Sequence, residues 1–329
     1  MRAFDYVRAT DTREAVRLLA EDPAASCLAG GTTQLDLMKD GVLEPPRLID
    51  ITRLPLHGIE RRGETLHVGA LATMEELAAE ATVTERLPMV RESLLLGASV
   101  QLRNMATIGG NLLQRTRCRY FRDPTVGACN KRTPGSGCAA VQGAARMHAV
   151  LGASEQCIAL HASDLAVALV ALDAVVHIQG LSQARTVPLT DFYLTADDSP
   201  QRENVLEHAE LITEVEIPLP PPAARSGYLK VRDRASYEFA LASAAVLLVV
   251  EDGTIRQARV GLGGVGTKPW RAYEAEQVLT GACATTATFQ DAAEATMHDA
   301  FTVPGTAFKV PLARRTLVRE LQTVSGVTA

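Results

Sequence analysis

The sequence predicts an α+β chain in two unequal parts: a large α/β region to about residue 218, then a smaller domain of antiparallel sheet plus helices. Three observations carry that expectation. Short apolar runs alternate with helical periods in the first part, without a regular strand–helix–strand repeat. The stretch "IPLPPPAARSG" at 217–227 then interrupts the chain, because Pro218 and Pro220 to Pro222 forbid helix and interior strand alike. Past it, "ALASAAVLLVVEDGTIRQARVGLGGVG" reads as two long strands turned at Asp252-Gly253.

In chain order, "DTREAVRLLAE" opens a helix with Asp11 and Glu14 at capping-box spacing. "SCLAG" and "RLIDI" are short apolar runs bounded by turn or charged residues, and predict strands. "GIERRGETLHVGA" predicts a hairpin around Gly63, and "ATMEELAAEA" a second capped helix through Thr73 and Glu76. After the paired strands, "RAYEAEQVLTG", "FQDAAEATMHDAF" and "VPLARRTLVRELQTV" have helical periods. No internal repeat or low-complexity tract is visible.

Composition narrows the function class. With 47% hydrophobic and 22% charged residues the chain is globular, and a net charge of −5 is too mild to point to nucleic acid. The start, "MRAFDYVRATDTREAV", has no apolar segment of the secretory kind, so no signal peptide is expected. The longest apolar runs, 165–176 and 240–250, fall short of the roughly 20 residues that span a bilayer, so a soluble chain without membrane insertion is expected. Six cysteines are too few for a disulfide-stapled secreted fold.

Two Gly-Gly elements stand out. In "CLAGGTTQLDLM" (27–38) an apolar strand ends at Gly30-Gly31, and a Thr-rich turn leads into a helical run. "NMATIGGNLLQ" (104–114) presents Thr, Gly-Gly and Asn again before an apolar run. Such turns let consecutive backbone N–H groups converge on an anion, and two of them suit a dinucleotide with two phosphates. By contrast, "GLGGVG" (261–266) matches a dinucleotide fingerprint only in spelling. Thr267-Lys268-Pro269 follow where a helix should open, so a structural turn with close backbone packing is expected. The seven histidines are scattered without metal-ligand spacing, and no G-x-S-x-G elbow exists.

Cys118, Cys129, Cys138 and Cys157 follow C-x10-C-x8-C-x18-C. The short pairs of zinc ribbons and bacterial ferredoxins are absent. Yet four of six cysteines crowd into one polar Gly/Pro-rich stretch that cannot bury enough apolar area to order itself. Four thiolates complete a ligand set for an iron–sulfur cluster or for a zinc ion, which would make the chain a non-catalytic zinc-stapled protein. Cys27 and Cys283 are expected to be buried small hydrophobes. Arg115, Arg117, Arg119, Arg122, Lys131 and Arg132 surround the four; they would either offset cluster charge or form a solvated or docking face.

"LAGGTTQLDLMK", "GASVQLRNMATIGGNLLQRTRC", "CNKRTPGSGCAA", "SDLAVALVALDA" and "KVRDRASYEFALASAAV" together resemble the FAD-binding subunits of the molybdenum hydroxylases, the xanthine dehydrogenase family. The likeness covers nearly the whole chain and is greatest to bacterial periplasmic aldehyde oxidoreductases, whose flavin subunit also carries a [4Fe-4S] cluster. It implies a two-subdomain PCMH-type FAD-binding domain over 1–218, with the cluster loop at about 115–158, and a C-terminal domain of the CO dehydrogenase flavoprotein type over 223–329.

Carried over by position, the resemblance implies that Ser26, Cys27, Leu28, Ala29, Gly30, Gly31, Thr32, Thr33 and Gln34 wrap the FAD pyrophosphate and ribose. Thr107, Gly110 and Asn111 supply the second loop. Asp164 binds the adenosine end, Ile212 packs on the cofactor, and Lys230 reaches the flavin ring from the second domain. Cys118, Cys129, Cys138 and Cys157 become the cluster ligands. No residue is expected to transform substrate itself. The implied function is electron transfer in a heterotrimeric aldehyde oxidoreductase that converts aldehydes to carboxylic acids. A [2Fe-2S] subunit and a molybdopterin subunit would be its partners, and a ferredoxin-like or other external acceptor would take the electrons. Export on a partner's signal would place it in the periplasm; otherwise it stays in the cytoplasm. The flavin subunits of 4-hydroxybenzoyl-CoA reductase, which also carries a [4Fe-4S] cluster, and of xanthine dehydrogenase are the alternatives within the family.

Overall fold

A computed structural model describes residues 1–196 and 199–327; the last two residues of the expected second domain lie outside the described ones. Three sheets organise it. β1 (Asp5–Arg8), β2 (Ser26–Leu28) and β3 (Arg47–Asp50) form a parallel sheet in the order β1-β3-β2. The helix Thr12–Glu21 buries Ala15, Val16, Leu18 and Leu19 in the same core as Ile49, Ile51 and Leu54. Asp11 caps it through the Glu14 amide at 2.8 Å, but the Glu14 carboxylate turns back to Thr10 rather than to Asp11. At Thr73 the full reciprocal box forms with Glu76.

The second sheet is antiparallel: β4 (Ile59–Arg62), β5 (Thr65–Gly69), β6 (Val175–Gln179), β7 (Ala184–Pro188) and β8 (Leu211–Pro218), in the order β4-β5-β8-β6-β7. Gly63 makes the β4–β5 turn at φ 63, as the hairpin pattern predicts. β8 runs up to the first proline of the cluster and ends there, where Pro218 stands opposite Thr65. The apolar run 165–176 divides: Asp164–Ala171 is helix, a turn with Asp173 at φ 55 follows, and β6 begins at Val175.

Past the prolines, β9 (Arg225–Val231), β10 (Ala242–Glu251), β11 (Thr254–Gly263) and β12 (Trp270–Arg271) form an antiparallel sheet in the order β12-β11-β10-β9. Asp252 (φ 49) and Gly253 (φ 74) turn its long hairpin, matching the left-handed pair that such a turn needs. Helices Tyr273–Leu279, Thr286–Thr296 and Lys309–Ser325 share a core with this sheet through Phe289, Leu317 and Leu321. The helix Asp164–Ala171 contacts β10 and β11 and the helix Pro88–Leu95, and is buried from Leu165 to Ala171 in one core with Val176 and Val215 of the five-stranded sheet. Gly261 and Gly263 make that approach possible: a Cβ on Gly261 would stand 2.5 Å from the Val167 carbonyl, and one on Gly263 equally close to the Val167 side chain. "GLGGVG" is therefore packing surface. Among the described residues no helix is long and apolar enough to cross a membrane.

One buried acid makes this interface sensitive to pH. Glu320, 5% exposed on the last helix, has its carboxyl pushed from 4.5 up to about 7, first by burial and then by repulsion from Glu92. A folded-state value above the unfolded one contributes stability that is present below about pH 4.5 and lost as pH rises through about 7. Glu320→Gln should therefore leave the melting temperature unchanged at pH 4 and raise it at pH 8, by an equivalent of about 1–3 kcal/mol. Thermal melts across that range check it.

Candidate functional site

β2 stops at Leu28, and Ala29-Gly30-Gly31-Thr32-Thr33 carry the chain into the helix Gln34–Lys39. Gly31 sits at φ 72, in the left-handed region that glycine tolerates. A Cβ on Gly30 would overlap the Met105 carbonyl, so the first Gly-Gly loop rests directly on the second element. There the structure corrects the expected likeness. Gly109 and Gly110 are not a turn ahead of a helix but belong to the helix Ile108–Leu112, whose N-cap is Thr107. Thr107 Oγ1 accepts the Gly110 amide at 3.3 Å, and the Gly109 amide donates to Ala70 at 2.8 Å. Asn111 faces away from its own loop, its Oδ1 accepting the Ser163 hydroxyl at 2.5 Å.

Thr32, Thr33 and Gly110 line two cavities at once and form the waist between them. The first cavity takes Ser26, Cys27, Ala29, Gly30, Gly31 and Gln34 from the first loop, Thr107 from the second, and Ile212 beside Leu211 from β8. Leu28 does not line it. Its walls are mostly apolar, but Gln34 Nε2 is buried there with no hydrogen-bond partner, which fits a polar ligand group. Burial pushes the Cys27 thiol up to about 12, so it stays protonated and inert.

The second cavity reaches the C-terminal part of the chain and takes in Asn111, Asp164 and Lys230. Asp164 and Lys230 form an ion pair at 2.7 Å, and Tyr228 donates to the other Asp164 oxygen at 2.7 Å. Lys230 also donates to the Leu96 carbonyl at 3.1 Å, and its side chain is 1% exposed. Asp164 and Lys230, expected at the adenosine end and at the flavin ring, thus stand side by side in one ion pair. Sequence reasoning assigned no cofactor role to Arg117, Tyr237 and Phe239 in the same cavity. Arg117 lies 5.2 Å from the Phe239 ring centre and pairs with Asp36 at 2.7 Å. For Tyr237 and Phe239 the sequence offers the polar and aromatic run "RDRASYEF" after a strand, and Arg117 stands out there only as a neighbour of the cysteines.

Cys118, Cys129, Cys138 and Cys157 line one further cavity and form no disulfide. Cys118 and Cys138 are the N-cap residues of the short helices Arg119–Arg122 and Ala139–Gln142, where free backbone N–H groups face the sulfur. Cys129 and Cys138 face each other across an isolated bridge, and Cys157 Sγ accepts the Ala159 amide at 3.4 Å. The Cys157 thiol lowers Cys138 to about 6, and the same contact raises Cys157. Burial raises Cys118 to about 11. Among the described residues, no group of three or more His, Cys, Asp or Glu is arranged to hold a metal ion.

Three expectations for this region change. The loop orders itself more than its composition suggests: Ala140, Ala145, Ile158 and Val303 form one small core, and Leu37 and Phe121 another. Most of its basic residues are committed elsewhere. Arg115 and Lys131 pair with Glu203 at 3.0 and 2.9 Å, Arg122 with Asp36 at 2.6 Å, and Arg132 binds the Tyr120, Phe121 and Val126 carbonyls. Cys283 is exposed, not buried.

Cys118 also lines a fourth cavity, which shares Arg117, Asp164 and Phe239 with the second one. The Gly-Gly waist and the four thiols are thus linked by adjoining spaces with common walls.

The family described as the FAD binding domain in molybdopterin dehydrogenase matches residues 2–220, and the CO dehydrogenase flavoprotein C-terminal domain matches 227–323. The chain is an FAD-binding subunit of the molybdenum hydroxylase family. Aldehyde oxidoreductase FAD-binding subunit PaoB of Escherichia coli is 46% identical over 324 residues, covering 98% of each chain. The carbon monoxide dehydrogenase medium chain of Afipia carboxidovorans is 30% identical over 284 residues, covering 85% of this chain and 80% of that one. Among solved structures, the reconstituted CO dehydrogenase from Oligotropha carboxidovorans matches with a TM-score of 0.79 and 25% identity over 99% of both chains. The flavin subunit is accordingly part of an oxidoreductase.

Substitution at the waist separates flavin binding from folding. Gly31→Asp and Gly110→Asp each set a carboxylate beside the space the two loops enclose. Both variants should fold yet purify with flavin absorption at least tenfold below wild type, whereas Gly58→Ala, where an added Cβ meets nothing within 4 Å, should keep its flavin.

Proposed function

We propose that this chain is the FAD and [4Fe-4S] electron-transfer subunit of a heterotrimeric, molybdenum-dependent aldehyde oxidoreductase. The observation that carries the reading is the placement of Cys118, which stands on the wall of the four-thiol cavity and on that of the space adjoining the waist cavities. The waist at Thr32, Thr33 and Gly110 would hold the FAD pyrophosphate, with the Ser26–Gln34 run, Thr107 and Ile212 around one end. Asn111, Asp164 and Lys230 would surround the other. Bound FAD supplies the chemistry of accepting two electrons and releasing them singly. The chain's own work is to hold it: Lys230 and Asp164 compensate each other's charge, so this end of the site presents a fixed dipole rather than a free charge.

The four cysteines would ligate the cluster. All four line one small cavity, and the resemblance to flavin subunits that carry a cluster favours iron–sulfur over zinc there. The aldehyde assignment is supported by the 46% identity to an aldehyde oxidoreductase subunit; the 30% identity to a carbon monoxide dehydrogenase medium chain keeps another hydroxylase chemistry as the second reading. A [2Fe-2S] subunit and a molybdopterin subunit would complete the enzyme, with an external acceptor for the electrons and the periplasm as its compartment. We read residues 1–218 and 223–329 as its two domains, consistent with family matches to 2–220 and 227–323.

Iron, molybdenum and flavin analysis of the native complex tests the whole reading. Cys→Ser at 118, 129, 138 or 157 should lower the iron of the complex by about four atoms and weaken the broad iron–sulfur absorption, while Cys27→Ser and Cys283→Ser leave iron unchanged. The purified single chain should not oxidise aldehydes. Zinc at the four cysteines would overturn the cluster and leave the flavin standing; aldehyde turnover by the isolated chain would overturn the subunit model.

A further inference from the structure

One contact to the cysteine cavity lies outside the ligand set. His148 Nε2 stands 3.1 Å from Cys118 Sγ. The side chain is buried, with 3% of the residue exposed. Its place is fixed by the backbone: the His148 amide donates to Ala145 at 2.9 Å, and the next amide donates to Ile158, beside Cys157, at 2.9 Å. The ring lies 6.1 Å from that of Tyr120, two residues after Cys118. Its other nitrogen, Nδ1, is buried without a partner. Of the two ring nitrogens, only Nε2 has anything to bind.

A cysteine sulfur bonded to iron carries no proton, so it can only accept at this contact. The hydrogen must then sit on Nε2. Hydrogen bonds to ligand sulfurs draw electron density from the metal and favour the more reduced, more negative state. We propose that His148 donates from Nε2 to Cys118 Sγ and thereby raises the reduction potential of the cluster at the ligand that also lines the space adjoining the FAD site. The inference rests on the four-cysteine cluster reading. His148 makes no bond to iron and is a positioning residue. Its role is distinct from that of the backbone N–H groups that face the sulfurs, because a side chain can be exchanged.

The test uses the complete enzyme and begins with iron analysis of wild type, since an iron content no higher than the partner's [2Fe-2S] centres supply would overturn the underlying reading. With the cluster present, redox titration followed by electron paramagnetic resonance should give His148→Phe a midpoint more negative than wild type at equal iron content. His148→Gln, which retains a side-chain N–H, should recover part of the difference. An unchanged midpoint in His148→Phe with the cluster intact would overturn the inference. Should His148→Phe lose its cluster, the reduced wild-type enzyme decides. Hyperfine spectra should show a proton that exchanges in heavy water and coupling to nitrogen-15 placed in histidine; absence of both signals refutes the hydrogen bond.

Discussion

Asp164 joins the two halves of the chain. It begins the helix Asp164–Ala171, takes an ion pair from Lys230 and a hydrogen bond from Tyr228, and both of those lie on β9, beyond the proline cluster. The lysine is desolvated, so its charge is tolerable only while the carboxylate faces it. Removing either partner alone would leave a buried charge. This contact ties the start of the helix to β9 on the wall of the second cavity. The glycines at 261 and 263 let the same helix sit close to β11.

Local features of this architecture were legible in the sequence. The Thr73 box, the Gly63 hairpin, the Asp252-Gly253 turn and the proline boundary all rest on interactions between residues a few positions apart. Failures occur where the deciding partner is distant. Nothing near Gly109 reveals that Ala70 accepts its amide and that the glycines lie within a helix turn. The Asp164–Lys230 pair spans 66 positions, so a role for each residue was readable while their adjacency was not. Cys283 resembles a core residue by chemistry, yet it falls at an exposed position facing Thr254 across an isolated bridge.

The cysteine region shows the same limit. Its composition suggests a loop needing an external staple, because polar Gly/Pro-rich chain buries little. Order comes from two small apolar cores and from buried polar groups satisfied by other parts of the chain. Lys131 reaches Glu203 and the Pro200 carbonyl, and Asn130 clamps Gln156 and Gly137. Burying Glu203 between Lys131 and Arg115 keeps its carboxyl below the usual range in spite of desolvation. Each such bond is worth little unless the whole set forms, so the region is expected to order cooperatively.

The strand order of the five-stranded sheet bears on the manufacture of this protein. β8 is the last of those strands in the chain but lies in the middle of the sheet, between β5 and β6. His67 on β5 and Glu214 on β8 bond across 147 positions. The cysteine stretch is threaded between them and leaves the ribosome before the strand that closes the sheet, and before Glu203 and Pro200, which anchor it. For the time needed to translate some 60 residues beyond Cys157, a few seconds to about ten at ordinary elongation rates, the four thiols wait unshielded. Any metal or oxidant in the cytosol meets them in that interval, so assembly of the site is a race that the fold itself enters late.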